Sequence, residues 1–436
     1  MKQELFSNHF AVGNNGCLVF DGLDLVQAAK TFKTPAYFIS EAVVRENCRA
    51  YMRAMRQQFG ERFKVAYASK ALCSSFIYPI LQSEGLNADV VSGGELYTAL
   101  HAGFPAQKLH FHGNNKTDDE LLQAVQCGIG SVVVDCLDEI ERLDAVCRHL
   151  EKKIPVLLRV KPGVDAHTHE FISTGHNDCK FGFGIEDGQV FEAAEMLSRC
   201  KFLDFCGLHC HIGSQVFLKE PFGIAAGVMV ALFARLNKEY GFSLRELILG
   251  GGFGVRYMPE DTPVPIPEMV SYLGQCLRES CSQHGIDVPE IVIEPGRSII
   301  CTAGVTLYTV GSVKKIPHAR TYVSVDGGMP DNPRYALYQA QYDACIADRA
   351  AQEKSEIVTI AGKCCESGDL ISRDIPLQPA RRGDTLCVFS TGAYTYSMAS
   401  NYNRLPRPPV VVIQNGCGRV VVRRETYEDL VRNDVI

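Results

Sequence analysis

A few short stretches of this chain carry side chains suited to chemistry. Lys70 ends the apolar run Ala66-Tyr67-Ala68-Ser69-Lys70-Ala71. An ammonium at the end of a buried strand is costly unless it is paired or neutralised as an imine. The plain alternative is a surface lysine opening the next helix. His209 and His211 lie two apart in a strand-like segment, so they share a face and Cys210 takes the other. Three uses are open to them: a zinc pair lacking a third ligand, a core histidine, or an imidazole stacked on an aromatic ring. Gly250-Gly251-Gly252-Phe253-Gly254 follows another strand, where bare N–H groups can cradle a phosphate. Ser214 could add a hydroxyl and Arg297 a guanidinium. The spacing is wrong for a dinucleotide-binding turn, and alone the motif is only a turn. Glu294 precedes Pro295-Gly296-Arg297. A buried carboxylate beside a pyridine nitrogen keeps that nitrogen protonated and the ring electron-withdrawing. The plain alternative is an ion pair with Arg297.

Each feature has a bland reading. Together, a lysine, a phosphate cradle, a ring-stacking histidine and a carboxylate for a ring nitrogen describe a pyridoxal phosphate site. Something must bring them together. Eight short β-branched runs read as buried strands, at residues 64–70, 88–92, 109–113, 131–135, 155–160, 206–212, 247–251 and 290–295. Helical spacing marks 118–127 and 137–150 between them. Eight strand–helix units with right-handed crossovers close into a (β/α)8 barrel, an α/β fold; a doubly wound open sheet is the alternative. Barrel chemistry collects at the carboxyl ends of the strands. Those ends are Lys70, 92–95, 112–115, Arg159, His209 and His211, 250–252 and 294–297. After residue 300 the strands 321–325, 356–361, 385–390 and 410–413 have no matching helices. Asn415-Gly416 marks a hairpin between 410–413 and 419–423. This half reads as an all-β domain, with 16–20 as an N-terminal strand of it and Asp21 as a helix cap. The expected division is an N-terminal segment 1–35, a barrel 36–300 and a β domain 301–436.

Composition excludes other classes. The chain has 436 residues, 46% hydrophobic and 22% charged, with a formal net charge of −6. That is an ordinary globular mix, and a mildly acidic chain without a basic block is a poor binder of nucleic acid or membrane surfaces. The longest uncharged apolar stretch, 221–234, is too short to span a bilayer, and no signal peptide is visible. Eighteen cysteines, scattered through apolar runs without paired CxxC frameworks, imply a reducing cytoplasm.

The motifs taken in order resemble the fold-type III pyridoxal phosphate-dependent decarboxylases, most closely the diaminopimelate decarboxylase family. The match includes 66–71 (AYASKA), 112–116 (HGNNK), 180–182 (KFG), 209–215 (HCHIGSQ), 250–254 (GGGFG), 294–297 (EPGR), 326–338 (DGGMPDNPRYALY), 365–367 (CES) and 392–403 (GAYTYSMASNYN). The resemblance implies a barrel joined to a β domain in a head-to-tail homodimer whose active sites are shared. It implies a carboxy-lyase that removes CO2 from the D-centre of meso-2,6-diaminoheptanedioate to give L-lysine, the last step of lysine biosynthesis. Lys70 would carry the cofactor, pyridoxal 5'-phosphate, as an imine; His211 would stack on its ring and Glu294 pair with its nitrogen. Asp89, Ser214, Gly251, Gly252, Gly296, Arg297 and Tyr394 would complete the cofactor site. Arg297, Arg334, Tyr338 and Tyr394 would bind substrate, with Glu366 on the distal amino group. Cys365, with Glu366 from the other subunit, would return a proton to the carbanion.

Three positions depart from the family pattern: Cys179 before Lys180, Lys363-Cys364 before Cys365, and Thr395-Tyr396 after Tyr394. The last two bear on substrate preference. Cys364 competes with Cys365 for the acid role, and the Cys-Glu-Ser register favours Cys365. Two other readings are a non-catalytic homologue, against which Lys70 and Cys365 argue, and a zinc hydrolase built on His209 and His211.

Overall fold

The computed structural model describes residues 6–164 and 179–435. The chain divides into two compact units, one of Asn47–Gly254 and Pro263–Ser298, the other of Met1–Glu46, Val255–Thr262 and Ile299–Ile436. Ala36–Ser40, which falls inside the expected barrel range 36–300, lies in the second unit.

In the first unit, eight strands alternate with helices. They are β1 (Phe63–Ala68), β2 (Asn87–Val90), β3 (Leu109–Phe111), β4 (Ser131–Val134), β5 (Ile154–Lys161), β6 (Leu203–His209), β7 (Glu246–Ile248) and β8 (Glu290–Ile293). Each pairs in parallel with the next, and β8 pairs with β1 with Ile291 opposite Phe63, so the sheet closes. The open-sheet alternative is therefore set aside. These strands are apolar on both faces because side chains fill the inside and helices cover the outside. Ala66, Val133, Leu157, Cys206, Ile248 and Val292 form one cluster of that core. Phe183–Gly184 adds a short parallel strand to β5.

Local sequence sets the helix ends. Thr117 and Glu120 form a capping box on the helix Asp118–Cys127, and Gly128 closes it in the left-handed conformation. Ser92 caps Gly93–His101 by accepting from the Glu95 N–H. The helix Leu137–Leu150 has the bounds its spacing predicts.

The second unit is built on a mixed sheet in the order Leu370–Leu377, Glu356–Ala361, Arg320–Val325, Gly304–Ile316, Ala36–Ser40, Val410–Gln414, Cys417–Val422. Thr385–Val388 also pairs with Gly304–Ile316 and carries Ala344–Ile346. The hairpin at Asn415-Gly416 forms with both residues at positive φ, 51° and 73°.

The N-terminal strand expected at 16–20 falls in the second unit, and the expected helix cap is corrected. Leu18–Phe20 pairs with Phe10–Val12 and Leu23–Asp24 in a small three-stranded sheet; the N-terminal strand of the large sheet is Ala36–Ser40. The helix Leu25–Phe32 is capped by Asp24, whose carboxylate accepts from the N–H groups of Val26 and Gln27. Asp21 sits at φ 47° and accepts from the Ser40 hydroxyl. A cap must immediately precede the first helical residue, and the chain turns three residues later than expected.

Candidate active site

In the barrel unit, the strand-end residues gather at the carboxyl end. Lys70 lies in the 3-10 turn Ser69–Ala71 directly after β1, with its side chain exposed. The Ser69 N–H donates to Asp89 Oδ1 at 3.1 Å. Burial pushes the Asp89 carboxyl well above its usual range, the Glu294 charge adds to this, and the Lys70 charge opposes it. Burial also raises Glu95, against the Val91 N–H at 2.8 Å and the Lys70 charge. Lys70 therefore stands amid Asp89, Glu95 and His211, each of which feels its ammonium.

His211 is held well below its ordinary pKa by burial first, then by the positive fields of Lys70 and Arg159. It is a neutral ring, suited to lying against an aromatic face. A Cβ on Gly250 would come within 2.6 Å of His211 Nδ1, so only bare backbone lets the ring lie there. Gly252 sits at φ 95°, and its Cβ would stand 2.1 Å from the Gly213 carbonyl oxygen. A Cβ on Gly251 would meet the Glu294 carbonyl at the same distance, and one on Gly296 would meet Ala68 Cβ at 2.7 Å. These loops pack main chain on main chain. Beside them Arg297 Nη2 donates to Ser214 Oγ at 2.8 Å, which sets a guanidinium and a hydroxyl side by side for an anion.

Glu294 follows β8 and is 6% exposed. Its Oε2 lies 3.1 Å from His209 Nε2, and its Oε1 lies 2.8 Å from His112 Nε2. Oε1 has no well-formed hydrogen bond although it is fully buried. Burial alone would raise this carboxyl; the two histidines outweigh it and hold the group well below the usual range. A charged, buried carboxylate with an unsatisfied oxygen fits the protonated nitrogen of a pyridine ring. With the neutral His211 and the Ser214–Arg297 pair, these residues fit pyridoxal phosphate.

His209 turns toward His112 and Glu294, and His211 is not in that group. The regular strand ends at His209, and His211 lies in the loop after it. His112 was legible only as a strand-end residue, since its neighbour comes from the far side of a closed barrel. Arg159 is a second residue left without a role. Its guanidinium stacks on Phe181 at 4.2 Å, and Asp135, which accepts from the Gly182 N–H, contributes charge.

The second unit holds the remaining residues. Arg334 and Tyr338 lie one turn apart on the helix Arg334–Tyr338. Arg334 is 6% exposed, stacked 4.8 Å from the Tyr257 ring and 5.6 Å from the Tyr342 ring, and Nη1 donates to the Tyr342 hydroxyl at 2.8 Å. Among the described residues no carboxylate pairs with it. Tyr394 is partly exposed at φ 57°.

Cys365 and Glu366 are exposed on a turn pinned by Asp369. That carboxylate accepts from the Met329 N–H at 2.6 Å and the Cys364 N–H at 2.7 Å. The Cys365 N–H donates to Asn403 Oδ1 at 2.8 Å. The neighbouring Cys364 thiol is pushed up to about 12 by burial and by Asp369.

Residues 45–301 match the pyridoxal binding domain of the pyridoxal-dependent decarboxylases. The diaminopimelate decarboxylase of Bacillus subtilis (strain 168) is 48% identical over 97% of this chain and 96% of its own. That of Mycobacterium tuberculosis (strain ATCC 25618 / H37Rv) is 42% identical over 96% and 95%. The crystal structure of M. jannaschii diaminopimelate decarboxylase in complex with L-lysine has a TM-score of 0.90, 33% identity, and 98% coverage of both chains. The chain belongs to the pyridoxal-dependent decarboxylase family and, within it, to the diaminopimelate decarboxylases.

Proposed function

We propose that this chain removes CO2 from the D-centre of meso-2,6-diaminoheptanedioate and releases L-lysine, with pyridoxal phosphate as cofactor. The observation that carries the reading is Glu294: a buried carboxylate kept charged at the mouth of a barrel, with Lys70 and a neutral His211 nearby. When bound, the cofactor supplies a protonated ring that draws electrons from the breaking C–C bond. The protein's residues do the rest. Lys70 would supply the amine that holds the cofactor and gives way to the substrate's amino group. Asp89 and Glu95 set the electrostatic surroundings of that amine. Ser214 and Arg297 hold an anionic group, and Gly251, Gly252 and Gly296 keep the backbone close. Tyr394 is carried over to the phosphate by resemblance.

On the second unit, Arg334 has a guanidinium oriented by two tyrosines and, among the described residues, no acidic partner, which suits a substrate carboxylate. Tyr338 shares its helix face. A spare carboxylate distinguishes this substrate from ornithine or arginine, which have only the one that leaves. Cys365 returns the proton and Glu366 takes the distal amino group, each supplied by a second copy of the chain in a homodimer. Their exposure supports this. All eighteen cysteines are free thiols, which supports a reducing cytoplasm. Among the described residues no helix is long and apolar enough to cross a membrane.

The test is CO2 release and lysine formation by purified protein supplied with pyridoxal phosphate and meso-2,6-diaminoheptanedioate. Release from ornithine, arginine or a D-amino acid, with none from this substrate, would overturn the assignment.

A further inference from the structure

Three strand ends from around the barrel meet at Glu294. His112 follows β3, His209 ends β6 and Glu294 follows β8. Their exposures are 4%, 1% and 6%, and their facing atoms lie within 4.8 Å of one another. The two imidazoles pack edge to face, 4.7 Å between ring centres at 64°. With Glu294 only 6% exposed, the side chains packed on it bear directly on its charge and its rotation.

The tautomer of His209 follows from its partners. A carboxylate only accepts hydrogen bonds, so the proton sits on Nε2. Nδ1 is then a bare lone pair, and it is buried without a partner among the described residues. The opposite tautomer would bury an N–H with nothing to receive it, which costs more. Burial pushes the His209 pKa down to about 3, so the ring is a neutral donor and no cation. His112 lies 2.8 Å from the other oxygen, off the line of a well-formed hydrogen bond. One oxygen is thus tied and the other is flanked but unsatisfied.

We propose that His209 and His112 are positioning residues that act through Glu294: His209 ties Oε2, His112 flanks Oε1, and together they leave Oε1 as the oxygen that receives the cofactor's ring N–H. The inference rests on the assignment of Glu294 to that nitrogen. A free carboxylate could offer either oxygen and could take up a proton itself. The clamp removes both freedoms, so protonation of the ring, and with it the electron demand on the scissile bond, depends on two histidines that touch neither substrate nor cofactor.

The test uses holoenzyme loaded with pyridoxal phosphate carrying 15N in its ring, read by the nitrogen chemical shift, which reports whether that nitrogen bears a proton. In the unaltered protein and in His209→Gln, which keeps an N–H near the Nε2 position, the nitrogen is expected to be protonated. In His209→Leu, and in His209→Asn, whose shorter amide withdraws the donor, the signal moves toward the unprotonated position and kcat falls about tenfold to a hundredfold. His112→Leu moves it in the same direction. In the background of Glu294→Gln, His209→Leu adds little further loss, because its effect passes through the missing carboxylate. If the Leu protein does not fold, the Asn protein carries the same prediction.

An unchanged nitrogen signal in the His209 Leu and Asn variants overturns the clamp. So does full additivity with Glu294→Gln. A signal that Glu294→Gln leaves unchanged overturns the underlying assignment of Glu294 instead, and the two failures are told apart by which variant is silent.

Discussion

At the scale of single residues, the proposed proton donor Cys365 has a neighbouring cysteine with different surroundings. Cys364 is partly buried against Asp369, whereas Cys365 is exposed on the same turn. Cys365→Ser is expected to lower kcat about a hundredfold or more, and Cys364→Ser by less than about threefold, in steady-state assays. Asp331 makes a prediction about stability. Burial first, then the charges of Asp369 and Asp326, raise it to about 7, against the donors Tyr308 and Gly328. A carboxyl whose folded pKa lies above its unfolded value binds its proton more tightly when folded. Its contribution is therefore fully present below about pH 4 and is lost as pH rises toward 7, by up to about 4 kcal/mol. Denaturant midpoints measured from pH 4 to 8 should fall across that window, and Asp331→Asn should flatten the fall. Lys70, Glu294, Ser214 and Arg297 were legible in the sequence because each is an ill-placed polar residue at the end of an apolar run. His112 was not, because its meaning comes from His209 and Glu294, 97 and 182 residues away.

At the scale of elements, the buried pair Lys116–Glu139 ties the loop after β3 to the helix after β4. Lys116 Nζ donates to Glu139 Oε1 at 2.7 Å and to the carbonyls of Gly113 and Val133 at 2.8 and 2.9 Å. The other Glu139 oxygen accepts from the Asp135 N–H at 3.1 Å. Neither side chain is more than 1% exposed. Removing one partner strands the other charge, so Lys116→Met should cost about 3–5 kcal/mol by chemical denaturation, and adding Glu139→Leu should recover much of it. The eight barrel strands were legible because a strand buried on both faces is a continuous β-branched run, as in Ser131-Val132-Val133-Val134. Gly304–Ile316 was missed. It begins as a buried run and ends exposed, with Lys314 and Lys315 near its tip, so neither pattern holds along its 13 residues. Ala36–Ser40 was hidden beside Pro35, which reads as a break.

At the scale of the whole molecule, the proposed sharing of active sites has a quantitative signature. Lys70→Ala and Cys365→Ala should each be nearly inactive alone. Mixed in equal amounts and allowed to exchange subunits, half the dimers are hybrids. In each hybrid one site carries both lesions and the other neither, so activity should recover to about a quarter of the unaltered value. No recovery, despite hybrids seen by native mass spectrometry, would sink the shared-site reading. The domain boundaries were the least legible feature. Residues 255–262 interrupt the barrel unit and group with the β unit, an excursion that no change of composition announces.

The place of Ala36–Ser40 has a consequence for biosynthesis. It lies antiparallel to Gly304–Ile316 and parallel to Val410–Gln414, so its two flanks are supplied by segments that emerge much later. At ordinary translation speeds of about 5–20 residues per second, the nascent strand waits roughly 20–75 s for its last neighbour. Over that interval the barrel segment leaves the ribosome in full. This early strand of the large sheet is thus among the last to be stitched in, and its apolar edge must be sheltered until Val410–Gln414 has emerged.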